Sequence, residues 1–115
     1  MWFAVSYRIT DEALADIDEI QDYIEQKQQN APGAEVVQDY LFNAFERIAR
    51  NPRQCGGRAR PDITSRPVKF LTVRRYVVIY DDRLDPVTII AVAGGRRDLA
   101  QLLADDPRYP ETSDE

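Results

Sequence analysis

Two apolar segments separated by a five-residue, charge-rich link most constrain how this 115-residue chain can fold. Arg75-Tyr76-Val77-Val78-Ile79-Tyr80-Asp81 and Val87-Thr88-Ile89-Ile90-Ala91-Val92-Ala93 are built from β-branched and aromatic residues, the types that suit a pleated, buried surface. Between them, Asp82-Arg83-Leu84-Asp85-Pro86 is turn chemistry. Strands joined by so short a link pair antiparallel. The second segment then runs into Gly94-Gly95-Arg96-Arg97-Asp98-Leu99. The block demands a sheet, and the rest of the chain must supply what covers it.

Upstream, Phe3-Ala4-Val5-Ser6-Tyr7-Arg8 alternates and reads as a first strand. Thr10 can cap a helix behind it, with Asp11 and Glu12 at the positive end of the helix dipole. Leu14, Ile17, Ile20 and Ile24 recur at helical spacing, which predicts an amphipathic helix over about residues 11–28. Asn30-Ala31-Pro32-Gly33 breaks it, and Pro32 can open a second helix. Val37, Leu41, Ala44, Phe45 and Ile48 form the stripe of that helix, and Pro52 ends it. Residues 53–67 read as a basic loop and Val68–Val73 as a second strand. Asp98 can cap a last helix bearing Leu99, Leu102 and Leu103, stopped by Pro107. The expected fold is α+β in the order β-α-α-β-β-β-α, a helical hairpin packed on a mainly antiparallel four-stranded sheet. Residues 1–107 make one domain, and 108–115 a polar tail expected to be disordered.

Charge is segregated along the chain. Residues 1–46 carry ten acids against Arg8 and Lys27, a net of −8. Residues 47–83 carry ten bases against Asp62, Asp81 and Asp82, a net of +7. Either the halves neutralise each other in the fold, or the basic middle faces an acidic partner. No stretch of about 20 apolar residues is present to span a membrane. The single cysteine, Cys55, reads as an incidental loop residue, and the chain fits a reducing cytoplasm.

With no histidine and one cysteine, neither a metal site nor a cofactor is expected. Gly94-Gly95 lacks the Lys-Ser/Thr of a phosphate loop. Arginine remains: Arg58 and Arg60 in the loop, Arg74 and Arg75 between the second and third strands, Arg96 and Arg97 after the fourth. Strand ends at one edge of a sheet can bring such residues together, and clustered guanidinium groups suit phosphate or carboxylate. The alternative is that they pair with acids of the first helix or stand in water.

The chain resembles the ParE/RelE superfamily of bacterial toxins from toxin–antitoxin operons. The likeness lies in Tyr7-Arg8-Ile9-Thr10 entering an acidic helix with Ala15-Asp16-Ile17, and in Phe45-Glu46-Arg47-Ile48-Ala49 before Asn51-Pro52. It is most specific in Val73-Arg74-Arg75-Tyr76-Val77-Val78-Ile79-Tyr80, then Val87–Val92 and Arg97-Asp98-Leu99. The resemblance implies a toxin held inactive by an antitoxin and forming a hetero-oligomer with it. ParE-like members block DNA gyrase, whereas RelE-like members cut mRNA at the ribosome. The superfamily often carries a histidine where this chain has Gly94.

Cutting RNA through its 2′-hydroxyl needs a base, a cation for the phosphate and an acid. Arginine is a poor base, which leaves Lys69 with Arg75, Arg97 and Tyr109 as the nuclease alternative. The expected reading is a ParE-like gyrase inhibitor that does not itself catalyse a reaction. Arg58, Arg60, Arg74, Arg75, Arg96 and Arg97 would form the target surface. Tyr23, Tyr40 and Phe42 would border a groove for a ParD-like antitoxin. A non-toxic, degenerate binding module is a third reading.

Overall fold

The computed structural model describes residues 7–94. Strand β1 (Tyr7–Ile9) leads into helix α1 (Asp11–Asp22), which continues as a π-helical turn over Tyr23–Lys27. Helix α2 (Ala31–Arg50) returns antiparallel to it, and a long loop delivers the chain to β2 (Lys69–Val73), β3 (Tyr76–Asp81) and β4 (Val87–Gly94). The sheet order is β1-β4-β3-β2, with β1 parallel to β4 and the other pairs antiparallel. The α+β arrangement is thus the one expected, and the two ends of the described chain meet in the sheet. Positions 3–6 of the expected first strand, the helix capped by Asp98 and the tail lie outside the described residues.

The helices start where their chemistry says they should. The Thr10 hydroxyl accepts from the Ala13 N–H at 3.1 Å, and Asn30 Oδ1 accepts from the Gly33 N–H at 3.0 Å. Pro32 sits in the first turn of α2, where its missing N–H is no loss. The stripe of α1 differs from expectation by one position. Leu14 is 43% exposed, and Ala13, fully buried, faces the core with Ile17. Position 13 shares the buried face with Ile17 four residues on, and α1 lies close against β4 there, with the Val92 N–H donating to Asp16 Oδ2 at 3.1 Å.

One face of the sheet packs on the helical hairpin. Leu71, Val73, Val78, Tyr80, Val87, Ile89 and Val92 meet Ala13, Ile17, Leu41, Ala44, Phe45 and Ile48 there. The other face carries a smaller cluster of Val68, Phe70, Val77, Ile79 and Ala91, joined by Ile63 from the loop. A bulge makes this division possible. Tyr80 pairs with Ile89 but Ile79 with Ala91, so Ile90 is the extra residue. It lets Val87, Ile89 and Val92 share the helix face while Ile90 and Ala91 both turn away from it.

The loop between α2 and β2 wraps the outer edge of the sheet. Arg58 and Phe70 exchange both backbone hydrogen bonds, at 3.0 and 2.8 Å, which blunts the β2 edge. Just before it, Cys55 Sγ lies 3.2 Å from the hydroxyl of the fully buried Tyr80, so this cysteine is a packing partner and not incidental. Burial, with Cys55 adding to it, pushes the Tyr80 phenol well above its ordinary value and keeps it protonated. A Cβ on Gly57 would collide with that hydroxyl. Gly57→Ala should therefore destabilise the fold by roughly 1–3 kcal/mol, read as a lowered urea midpoint at unchanged slope.

At the far end of β3, buried Asp81 accepts from the Arg83 backbone N–H at 3.0 Å and from its guanidinium at 2.8 Å. Burial pushes the Asp81 carboxyl up, but the Arg83 hydrogen bonds outweigh it and the net displacement is downward. A carboxyl held low when folded contributes stability above its unfolded value and loses it as pH falls through the folded one. The stability advantage of wild type over Asp81→Asn should accordingly shrink below about pH 4 in urea titrations run across pH.

Candidate functional site

A groove opens where β1 stops covering β4. β1 pairs with Val87–Ile89 only, and the chain then leaves the sheet at Thr10. From there the edge of β4 is served by the start of α1. The Thr10 N–H donates to the Ile89 carbonyl at 3.1 Å, its hydroxyl donates to the Ile90 carbonyl at 3.3 Å, and Asp16 takes the Val92 N–H. Past Val92 a concavity of about 360 Å³ lies between Asp16, Glu19, Ile20 and Tyr23 of the helix and Tyr76, Val92 and Gly94 of the sheet.

Tyr23 and Tyr76 also line a second concavity, of about 270 Å³, that continues between the two helices. Its walls are Ile24, Gln28 and Asn30 on one side and Gly33, Val37 and Tyr40 on the other, with Arg75 at its mouth. The π turn shapes this part. The Gln28 N–H reaches back five residues to the Tyr23 carbonyl at 3.2 Å, so the helix widens by one residue. Ile24 stays in the core at 6% exposure, while Tyr23 is turned outward at 57%. The groove thus has an acidic end at Glu19, a tyrosine floor and a basic end at Arg75.

The turn from β2 to β3 forms the basic rim. Val73 pairs with Tyr76, which leaves Arg74 and Arg75 as a two-residue link. Arg74 has φ 58°, the left-handed region, and Arg75 does not. That pattern ordinarily takes glycine at the first position. A side chain held there costs about 1–2 kcal/mol. Arg74 places its guanidinium 4.7 Å above the Tyr40 ring, and Tyr40 in turn lies 6.3 Å from Tyr76. A cation–π contact at an exposed position returns only about 0.5–1 kcal/mol. The link between the helices holds a second case, Gln29 at φ 52°, next to the Gln28 and Asn30 of the groove wall.

Burial pushes the Tyr40 phenol above its ordinary value, although Arg74 and Arg75 pull the other way. Tyr76 is raised as well, by burial and then by Tyr40. Both phenols remain protonated at neutral pH, so they offer donors and not bases. Lys69, named as the base of a nuclease, donates to Asp82 at 2.7 Å. Among the described residues no group of three or more His, Cys, Asp or Glu side chains could hold a metal ion. None of their helices is long and apolar enough to cross a membrane.

The structure redistributes the residues singled out from the sequence. Arg74, Arg75, Tyr23 and Tyr40, read as two separate sets, come together at one groove. Phe42 does not join them; its ring meets Phe45 edge-on at 5.3 Å, half-buried against the core. Arg58 and Arg60 lie in the loop beyond the opposite sheet edge, and exposed Arg60 is engaged by Asp62 at 2.8 Å. Arg96, Arg97 and Tyr109 lie outside the described residues. Sequence reasoning missed Tyr76 and Glu19 as groove residues. Only the pairing of Tyr76 with Gly94 at the sheet end, a tertiary fact, places them there.

A small α+β domain thus carries a helical hairpin on one sheet face, with tyrosines and an arginine turn lining one groove. The sequence model of the ParE toxin of type II toxin–antitoxin systems, parDE, matches residues 7–99. The chain belongs to this family; it is the toxin of a type II system, and its partner is an antitoxin. None of the curated proteins matches it.

The geometry separates groove from core. Phe42→Ala should destabilise by roughly 2 kcal/mol in urea denaturation. Tyr23→Ala should stay within about 0.5 kcal/mol of wild type, because its ring is largely in water.

Proposed function

We propose that this toxin acts by binding DNA gyrase and blocking it, with the Arg74–Arg75 turn at the centre of the contact. A ParD-like antitoxin neutralises it by lying in the groove between α1, α2 and the sheet, over the same turn. The observation that carries this reading is the shared position of the two sets. Arg75 opens onto the concavity that Tyr23 and Tyr40 line, and Arg74 rests on Tyr40. An antitoxin segment seated on the tyrosines covers the arginines, so one partner excludes the other.

The side-chain chemistry supports gripping over catalysis. The groove offers protonated phenols, an aliphatic wall and a guanidinium, which hold a protein segment well. The bond from Lys69 to Asp82 directs its ammonium to a neighbouring strand end and not to a substrate, which weighs against the mRNA-cutting alternative. Arg58 and Arg60 would extend the target surface along the far edge, and Arg96 and Arg97 follow β4, whose Gly94 pairs with Tyr76 beside the turn.

A supercoiling assay tests the proposal. Toxin at micromolar concentration should inhibit gyrase, antitoxin should restore activity, and Arg74→Ala with Arg75→Ala should raise the inhibitory concentration about tenfold or more. Unimpeded supercoiling by a toxin that still arrests growth would sink the gyrase reading. New cuts at A-site codons in toe-printing would replace it with the ribosomal one.

A further inference from the structure

We infer that Arg74 is a carboxylate-binding residue for the antitoxin, held ready by the turn that carries it and by the ring of Tyr40. The inference rests on the groove being the antitoxin's seat, and it adds the chemistry of one contact. Three observations lead to it. Arg74 occupies a left-handed backbone position where glycine would be free of strain, and its guanidinium is held 4.7 Å over the Tyr40 ring. The stack fixes one face of the guanidinium and leaves its N–H edge, the edge that makes forked bonds to a carboxylate. Among the described residues no carboxylate forms an ion pair with Arg74.

The partner is a protein, and the planar two-oxygen anion a protein side chain offers is an aspartate or glutamate. Arg75, exposed in the same turn, adds a second positive charge. Gln29, the other strained side chain, sits at the opposite wall beside Gln28 and Asn30. Its left-handed backbone closes the end of the first helix, where the Asn30 N–H donates to the Ile24 carbonyl at 3.0 Å. The antitoxin segment should lie with an acidic residue at the Arg74–Arg75 end and a basic one toward Glu19.

The test uses the full-length toxin separated from its antitoxin, and the full-length antitoxin as probe. Arg74→Gly should melt no more than about 2 °C below wild type, and it can melt above it, because the turn is relieved of strain. Its dissociation constant for antitoxin should rise about tenfold or more, and the affinity should lose part of its salt dependence. Arg74→Lys keeps the charge without the fork and should weaken binding as well. A larger fall in melting temperature for Arg74→Gly would make Arg74 a structural residue and overturn the inference. A change in affinity of less than about tenfold, or full affinity in Arg74→Lys, would also overturn it. So would intact antitoxin binding with lost gyrase inhibition, which would hand Arg74 to the target. Tyr23→Ala distinguishes the levels. If it binds antitoxin as wild type does, the groove reading itself fails; if it binds weakly while Arg74→Gly binds normally, only the assignment of Arg74 falls.

Discussion

The structure hangs on the joint made by Thr10. One residue ends β1, caps α1 and holds the edge of β4. Its N–H donates to Ile89, its hydroxyl donates to Ile90, and the same oxygen accepts from Ala13. Because β1 is parallel to the last strand of the sheet, the chain must leave it and cross a face before it can pair again, and Thr10 sets the direction of departure. The helical hairpin follows from that exit. So does the closeness of α1 to β4, where Ala13 is fully buried and Asp16 meets the Val92 N–H. Backbone groups that a longer β1 would have paired are met by side chains of the helix instead. The groove lies where this substitution runs out.

Strain and helix distortion gather at the same place. Among the described residues the two non-glycine positions with left-handed backbone are Gln29 and Arg74, one at each turn flanking the tyrosines. The π turn sits between them in space as part of the wall. Each feature costs the fold something a simpler sequence would avoid: glycine at either turn, or one residue fewer in the first helix. The core shows no such concessions. Leu41, Phe45, Ile48, Val78 and Ile89 are fully buried in one continuous cluster.

Much of this was legible in the residues, and the rest was hidden for physical reasons. The β3–β4 hairpin, the cap at Thr10, Pro32 in the first turn of α2, and the stripe of α2 follow local rules of periodicity and turn chemistry, and the structure has them. The bulge at Ile90 was not readable, because Val87–Ala93 is apolar on both faces and a register shift leaves no trace in such a run. The stripe of α1 was misplaced by one residue since Ala13 is a weak hydrophobic signal beside Leu14. Cys55 looked incidental because its partner, Tyr80, is 25 residues away. At the site, residues read from the sequence as two separate sets lie together at one groove. Arg74 and Tyr40 are 34 positions apart, and no pattern along the chain announces that one rests on the other.

That grouping bears on how neutralisation would work. If arginines for the target and tyrosines for the antitoxin occupied separate faces, inhibition would require a conformational change carried between them, and hence a bistable element. A shared groove needs none. There the antitoxin's own buried surface would supply the affinity, and the same contact would remove the turn from the target's reach. Direct exclusion also explains why the basic turn would be anchored on the antitoxin's tyrosine floor instead of standing free. An arginine pair swinging in water would lose side-chain entropy on every encounter, whereas Arg74 is already held by Tyr40. Preorganisation serves whichever partner arrives first, so the outcome in the cell would be set by relative concentration and affinity and not by a switch within the toxin.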